Sequence, residues 1–243
     1  MDHLSRRGAI GSVLAAGILS GTPGLARTPG TSAQRLTSAG PLLAYLRANG
    51  PLLLRKAQGL FRYPSIAPSL PGKQYAAELW DWDTMWTTRG LFRLAELTKD
   101  GAFHRTLVDH AKGSLLNFLD NQSSEGRLPN VMASTDRDAH PFPVTARDRN
   151  QAKPVMAQLA LLVADQTGDA EWCRPVFDKL LRFHDSWLTH NQTPSGLLVW
   201  SNDVAIGNDN DPTTFARPPF FSANLLLNCL YYEDLRAVSE LSK

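Results

Sequence analysis

One unit of this chain is written twice. Residues 90–130, GLFRLAELTKDGAFHRTLVDHAKGSLLNFLDNQSSEGRLPN, resemble residues 156–200, MAQLALLVADQTGDAEWCRPVFDKLLRFHDSWLTHNQTPSGLLVW. In each, a helical apolar period runs to a turn, Thr98-Lys99-Asp100 or Thr167-Gly168-Asp169. A second helical period follows, and a Gly-x-Leu loop closes the unit. Superposing Asp100 on Asp169 gives a repeat of about 69 residues. Phe103, Leu107, Ala111, Leu115, Phe118 and Leu119 mark one apolar face, and Trp172, Val176, Leu180, His184 and Trp187 mark another. No sustained alternation of period two appears, so the body is expected to be all-α. One such helix pair cannot bury its apolar face alone, whereas repeated antiparallel pairs stack, here into an (α/α) toroid.

The repeat also orders the polar residues. WDWD (80–83), NQAKP (150–154) and RPPFF (217–221) are expected to open first helices, while GRLPN (126–130) and the loop 196–212 follow second helices. Starts of first helices and ends of second helices share one end of such an assembly. All five stretches are therefore expected to rim one mouth.

The densest of them is LWDWDTMW, residues 79–86, with three of the six tryptophans around two aspartates. A buried carboxylate costs several kcal/mol unless a counter-charge or a hydrogen-bonding ligand meets it, on the order of magnitude usual for desolvated ions. Sugars can be such a ligand, stacking C–H faces on indoles and donating hydroxyls to carboxylates. The competing reading is a packed helix start whose aspartates cap the helix and pair with Arg89 or Arg93. A helix beginning near Trp80 puts Trp80, Asp83 and Thr87 on one face and Asp81 towards Met85 and Thr88. On that reading Asp83 is the nested carboxylate, and Asp81 is a cap or surface ion-pair partner.

The loop 199–219, VWSNDVAIGNDNDPTTFARPP, carries Asp203, Asp209 and Asp211. A calcium loop starting at Asp209 would need Gly and Glu where Thr214 and Phe220 stand. A DxDxT phosphatase motif would need a buried strand before it, which this chain does not supply. A general acid of a glycosidase, which needs a second carboxylate opposite, is the reading left.

Composition narrows the partners. A net charge of +2 without a long charge run gives no case for nucleic acid, and 43% hydrophobic content suffices for one sizeable core. Arg6-Arg7, the weakly apolar stretch Ala9–Leu19 and Gly24-Leu25-Ala26 read as an export leader over residues 1–26. It is twin-arginine-like, with an ordinary secretory signal as the alternative. The stretch is too short and glycine-rich for a membrane anchor. The expected location is therefore periplasmic or secreted. Residues 27–73 read as linker and leading helical segment, and 74–243 as the repeat body. Cys173 and Cys229 sit in helix-like apolar stretches as small buried side chains. An exported chain could join them, and their spacing with other residues matches no metal site. No cofactor is expected.

The ordered set WDWDTMW, GRLPN, NQAKP and GNDNDP followed by RPPFF resembles the (α/α)6-barrel glycosidases of glycoside hydrolase family 63, bacterial mannosylglycerate/glucosylglycerate hydrolase-like, over roughly residues 70–243. The resemblance implies hydrolysis of an α-glucoside or α-mannoside with inversion. It implies Asp209 as general acid, with Asp211 as the alternative because Asp211 stands where relatives often have Ser. It implies a sugar subsite at Trp82 and Asp83 beside Trp80, with Asn130 and Gln151 as further ligands, each of which can also be read as a turn or helix cap. Lys153 departs from the Pro common in relatives and is expected to meet an anionic substrate group or to lower a neighbour's pKa. Six helix pairs exceed this length, so the resemblance implies an incomplete barrel, inactive alone, with the base on a Glu beyond Lys243. Within the chain, Glu78 and Asp203 are bases by composition only. The alternative function is an exported, non-catalytic carbohydrate-binding toroid.

Overall fold

The computed structural model describes residues 39–134, 151–201 and 217–243. The chain divides into two compact units, Met1–Ala44 and Tyr45–Lys243. The described part of the first is the start of helix α1 (Gly40–Asn49). The leader, Asp203, Asp209 and Asp211 lie outside the described residues.

The second unit is built of helix pairs. After a 3-10 turn and the two-residue strands β1 (Leu54–Arg55) and β2 (Ser65–Ile66) come β3 (Glu78–Trp80), α2 (Asp81–Thr98) and α3 (Gly101–Asp120). Then follow β4 (Val131–Ala133), α4 (Met156–Thr167), α5 (Phe177–Asn191) preceded by a 3-10 turn, and α6 (Leu225–Leu241). The expected all-α body is thus present, with two antiparallel two-stranded ladders, β1–β2 and β3–β4, too short for any period to reveal. The first helices of successive units, α2, α4 and α6, pack in sequence, and α3 packs against α2 and α4. Among the described residues no helix is long and apolar enough to cross a membrane.

The repeat holds down to single hydrogen bonds. Thr98 Oγ1 donates to Leu94 O at 2.8 Å, and Thr167 Oγ1 to Val163 O at 2.9 Å. The next residue is left-handed in both units, Lys99 at φ 53° and Gly168 at φ 68°. Asp100 then accepts from Phe103 N at 2.9 Å, and Asp169 from Glu171 N at 2.9 Å. These caps satisfy amides that have no partner inside the following helix. In the closing loops Ser123 N donates to Arg127 O at 2.9 Å and Thr193 N to Leu197 O at 2.8 Å. Gln122 and Gln192 both donate to the carbonyl of the loop glycine, Gly126 and Gly196.

The expected faces are buried: Leu107, Ala111, Leu115, Phe118 and Leu119 on α3, and Leu180, His184 and Trp187 on α5. Of these, Leu115, Phe118, Leu119, Leu180 and Trp187 join Leu79, Met156, Leu159 and Trp200 in one core. Phe103, Trp172 and Val176 are only half-buried. One boundary and one burial differ from expectation. RPPFF does not open α6, which begins at Leu225 behind an Asn224 cap that accepts from Leu227 N at 3.0 Å. Cys173 is buried, with burial pushing its thiol pKa up, but Cys229 is exposed on α6 and both thiols are free.

Helices α5 and α6 meet at a buried polar contact. His184 Nε2 lies 2.9 Å from Asp234 Oδ2, and Asp234 Oδ1 accepts from Gln158 N at 2.8 Å. The Tyr231 ring packs 5.3 Å from the His184 ring. Burial first, then the carboxylates of Asp185 and Asp234, push the Tyr231 hydroxyl up to about 12 from 10.0.

Two outcomes follow from these contacts. Gly126 and Gly196 share φ 84°, but a methyl on Gly126 would overlap the Arg182 carbonyl, while Gly196 faces open space. Gly196→Ala should therefore cost about 1–2 kcal/mol of left-handed strain. Gly126→Ala should cost a further 1–3 kcal/mol or so of overpacking, read as the difference between their urea midpoints. For Tyr231, a raised folded pKa makes the neutral phenol's contribution complete below its ordinary value of 10.0 and lost as pH rises towards about 12. Unfolding curves from about pH 9 to about pH 11.5 should show a steeper loss of stability in the unmodified protein than in Tyr231→Phe.

Candidate functional site

The polar stretches converge through a strand-to-helix switch at Trp80. Trp80 is extended (φ −108°, ψ 141°) and pairs with Val131, so Asp81 is the first helical residue of α2. Its amide donates to Asn130 O at 3.0 Å, tying the start of α2 to the segment after α3. That segment in turn holds the lead into α4: Pro129 bridges to Gln151, and Ala152 N donates to Leu128 O at 2.8 Å.

The carboxylate of Asp81 fills the junction. It is 1% exposed. Its Oδ1 accepts from Trp82 N at 2.6 Å and from Lys153 Nζ at 3.2 Å. Its Oδ2 accepts from Lys153 N at 2.6 Å and lies 3.5 Å from Nζ. Lys153 is itself 2% exposed, and its Nζ stands 4.8 Å from the centroid of the Trp82 ring. A buried pair of this kind also needs its leftover lone pairs used, and those of Asp81 accept from the amides of Trp82 and Lys153.

From Lys153 the polar chain continues around the rim. Gln151 Nε2 donates to Asn191 Oδ1 at 3.2 Å, and Ser186 Oγ donates to Gln151 Oε1 at 2.7 Å. Asn191, the last residue of α5, donates to Val199 O and Ser201 Oγ, each at 2.9 Å. Trp200 N donates to Ser222 O at 3.1 Å, which brings in the segment before α6. The start of α2, the end of α3, the lead into α4, the end of α5 and the lead into α6 are therefore continuous through hydrogen bonds.

The expected site residues that the structure describes can now be placed. Trp82 and Asp83 are half-buried in the first turn of α2. Trp80 is half-buried, its Nε1 donating to Glu78 Oε2 at 2.6 Å and its ring edge-on to Tyr75 at 5.5 Å. Asn130, Gln151 and Lys153 are buried in the network. Asp209 and Asp211 lie outside the described residues. The assignment of the two aspartates in WDWD is corrected. Asp81, expected at a cap or surface pair, is the nested carboxylate, and Asp83 is half-buried. Asp81 does form an ion pair, but with Lys153 inside the protein rather than with Arg89 or Arg93.

Asn191, Ser186, Ser201 and Ser222 are not among the residues expected from sequence. Asn191 has a signal there: it stands at the repeat position of Asn121, immediately before the shared glutamine. The serines have none, since their roles depend on which backbone crosses them.

No curated protein matches the chain. Of the solved structures similar to it, an uncharacterized conserved protein from Thermus thermophilus is 24% identical, over 73% of this chain and 39% of that one, with a TM-score of 0.41. A GH63 mannosylglycerate hydrolase from the same organism, solved in complex with glucose, is 22% identical over 85% of this chain and 49% of that one, also with a TM-score of 0.41. This chain thus spans less than half the length of either. The mannosylglycerate hydrolase MGH1-like glycoside hydrolase domain matches residues 77–238, a stretch that includes every described residue of the site, and the chain belongs to that family.

Proposed function

We propose that the protein is an O-glycosyl hydrolase that cleaves an α-glucoside or α-mannoside with inversion. Family membership supports glycosidase chemistry in general. The observation that carries the reading to this site is the joining of five chain-distant polar segments through hydrogen bonds, with Trp82 beside the Asp81–Lys153 pair and half-buried indoles and a carboxylate at the start of α2. The helix pairs are the units of which an (α/α)6 toroid is made, and the proposal takes them as part of one.

In this reading Trp82 and Trp80 stack on the sugar face while Asp83 accepts its hydroxyls. Asn130 and Gln151 complete the subsite. Lys153 acts through the Trp82 ring, in keeping with its 2% exposure. Asp209 donates a proton to the leaving glycosidic oxygen as the bond to the anomeric carbon breaks. A water attacks that carbon from the opposite face, giving up its proton to a second carboxylate about 6.5–9.5 Å from the acid. Asp211 is the alternative donor. The acid must arrive protonated, a state that burial or a neighbouring carboxylate favours. A leader over residues 1–26 is in keeping with a periplasmic or secreted place of action.

The test is Asp209→Asn in the protein as its gene encodes it, assayed on α-glucosides and α-mannosides, mannosylglycerate among them. Turnover should fall about 10²–10⁴-fold with sugar binding retained, and the sugar released by the unmodified enzyme should appear first as the β anomer. A larger loss in Asp211→Asn moves the acid to that position. Sugar binding without turnover in the unmodified protein would instead support a carbohydrate-binding role without catalysis.

A further inference from the structure

The family resemblance assigns nothing to the second position of the Trp-x-Trp-Asp stretch. In this chain that position is Asp81, the most enclosed carboxylate among the described residues of the site. Among the described residues, the partners of its carboxylate oxygens lie on Trp82 or Lys153: the amide of each and the Lys153 ammonium. Lys153 in turn places its charge 4.8 Å from the Trp82 ring centroid, within the range where an ammonium is attracted to an indole face. Two neighbours of the Trp82 ring, its own backbone and the cation beside it, are therefore held by a single carboxylate.

We propose that Asp81 is a positioning residue of the carbohydrate site, which orients the Trp82 ring through Trp82's amide and through Lys153. The inference rests on Trp82 serving as a sugar platform, the reading proposed for this site. Asp81 performs two separable jobs. It neutralises a buried ammonium, and it accepts two amide protons that diverge to different chain segments. A carboxamide of the same shape has one acceptor oxygen and one donor nitrogen. It can satisfy Trp82 N or Lys153 N, but not both, and it leaves Lys153 without its counter-charge.

The test compares Asp81→Asn, Lys153→Met and the double variant Asp81→Asn/Lys153→Met in the protein as its gene encodes it. Tryptophan is replaced by 5-fluorotryptophan, and the Trp82 resonance is identified by its loss in Trp82→Phe. Both single variants should melt below the unmodified protein, and the double variant, with no isolated buried charge, should recover most of that loss. The Trp82 fluorine resonance should nevertheless stay displaced in all three. KM for the best glycoside should rise about tenfold or more in Asp81→Asn and in the double variant, with a smaller change in kcat, because ground-state sugar contact is what has moved.

A Trp82 resonance in the double variant that superimposes on that of the unmodified protein would overturn the proposal. So would a KM that returns to normal together with stability, since Asp81 would then matter only as a counter-ion. Calorimetric titration of the unmodified protein with glucose and mannose tests the underlying reading separately. A displaced resonance in a protein that takes up neither sugar upholds the orienting role of Asp81 and removes the carbohydrate assignment.

Discussion

An ammonium and a carboxylate, each almost wholly shut off from water, meet where three chain segments join: Asp81 from the start of α2 and Lys153 from the lead into α4, beside the strand that follows α3. Neither charge is tolerable there without the other, and removing one partner of such a pair typically costs about 3–5 kcal/mol. The attraction alone does not establish that the pair adds stability, because desolvation of both groups opposes it. What the pair does establish is register. The carboxylate can accept from Trp82 N, Lys153 N and Lys153 Nζ together only if helix α2 begins at one particular residue and the 151–153 segment runs at one particular height.

That register is then propagated by neutral hydrogen bonds between buried side chains. Gln151, Asn191, Ser186 and Ser201 are all buried, and each uses its side chain on another member of the rim or on its backbone. A half-satisfied network of this kind would cost more than an apolar one, so its members stand or fall together. The same segments carry Leu79, Leu128, Ala152, Leu198 and Trp200 into the core. The polar rim and the apolar interior are two sides of the same strands and turns.

Much of this is readable from the sequence, for a reason visible in the repeat. Turns and caps are local chemistry: Thr98 and Thr167, Asp100 and Asp169, Gly126 and Gly196 each perform the same act in both units. Local chemistry written twice can be aligned with itself. The faces of α3 and α5 are readable for the same reason, whereas the buried seam of α2 at Met85, Thr88, Phe92 and Ala95 is visible only in the structure. Extending that seam backwards by one turn reaches Asp81. Helical spacing sets Asp81 beside Met85 and Thr88, but a helix counted from Trp80 does not mark that side as the interior one. Trp80 is a strand residue, held extended by its pairing with Val131. A three-residue ladder between segments some fifty positions apart leaves no periodic trace, and neither does the partner Lys153, more than seventy positions away. Cys229 misleads in the opposite direction, since its sequence neighbours Leu227, Leu230 and Tyr231 are buried while Cys229 itself is exposed on α6.

Burial divides the labour among the polar residues of the rim. Asp81, Lys153, Gln151 and Asn191 are enclosed, and the protein itself occupies their donors and acceptors. They can influence a ligand chiefly by fixing what stands in front of them. Trp80, Trp82, Asp83 and Thr87 are half-buried, spaced along the opening turns of α2, and retain surface with which to meet one. A neutral polyol gains most from such a partition, because stacking on an indole is worth little if the ring must be ordered at the moment of binding. On the proposed reading, the enclosed residues remove that ordering cost in advance. Gln151 belongs with the scaffold in its hydrogen bonding, since Asn191 and Ser186 occupy its side-chain amide.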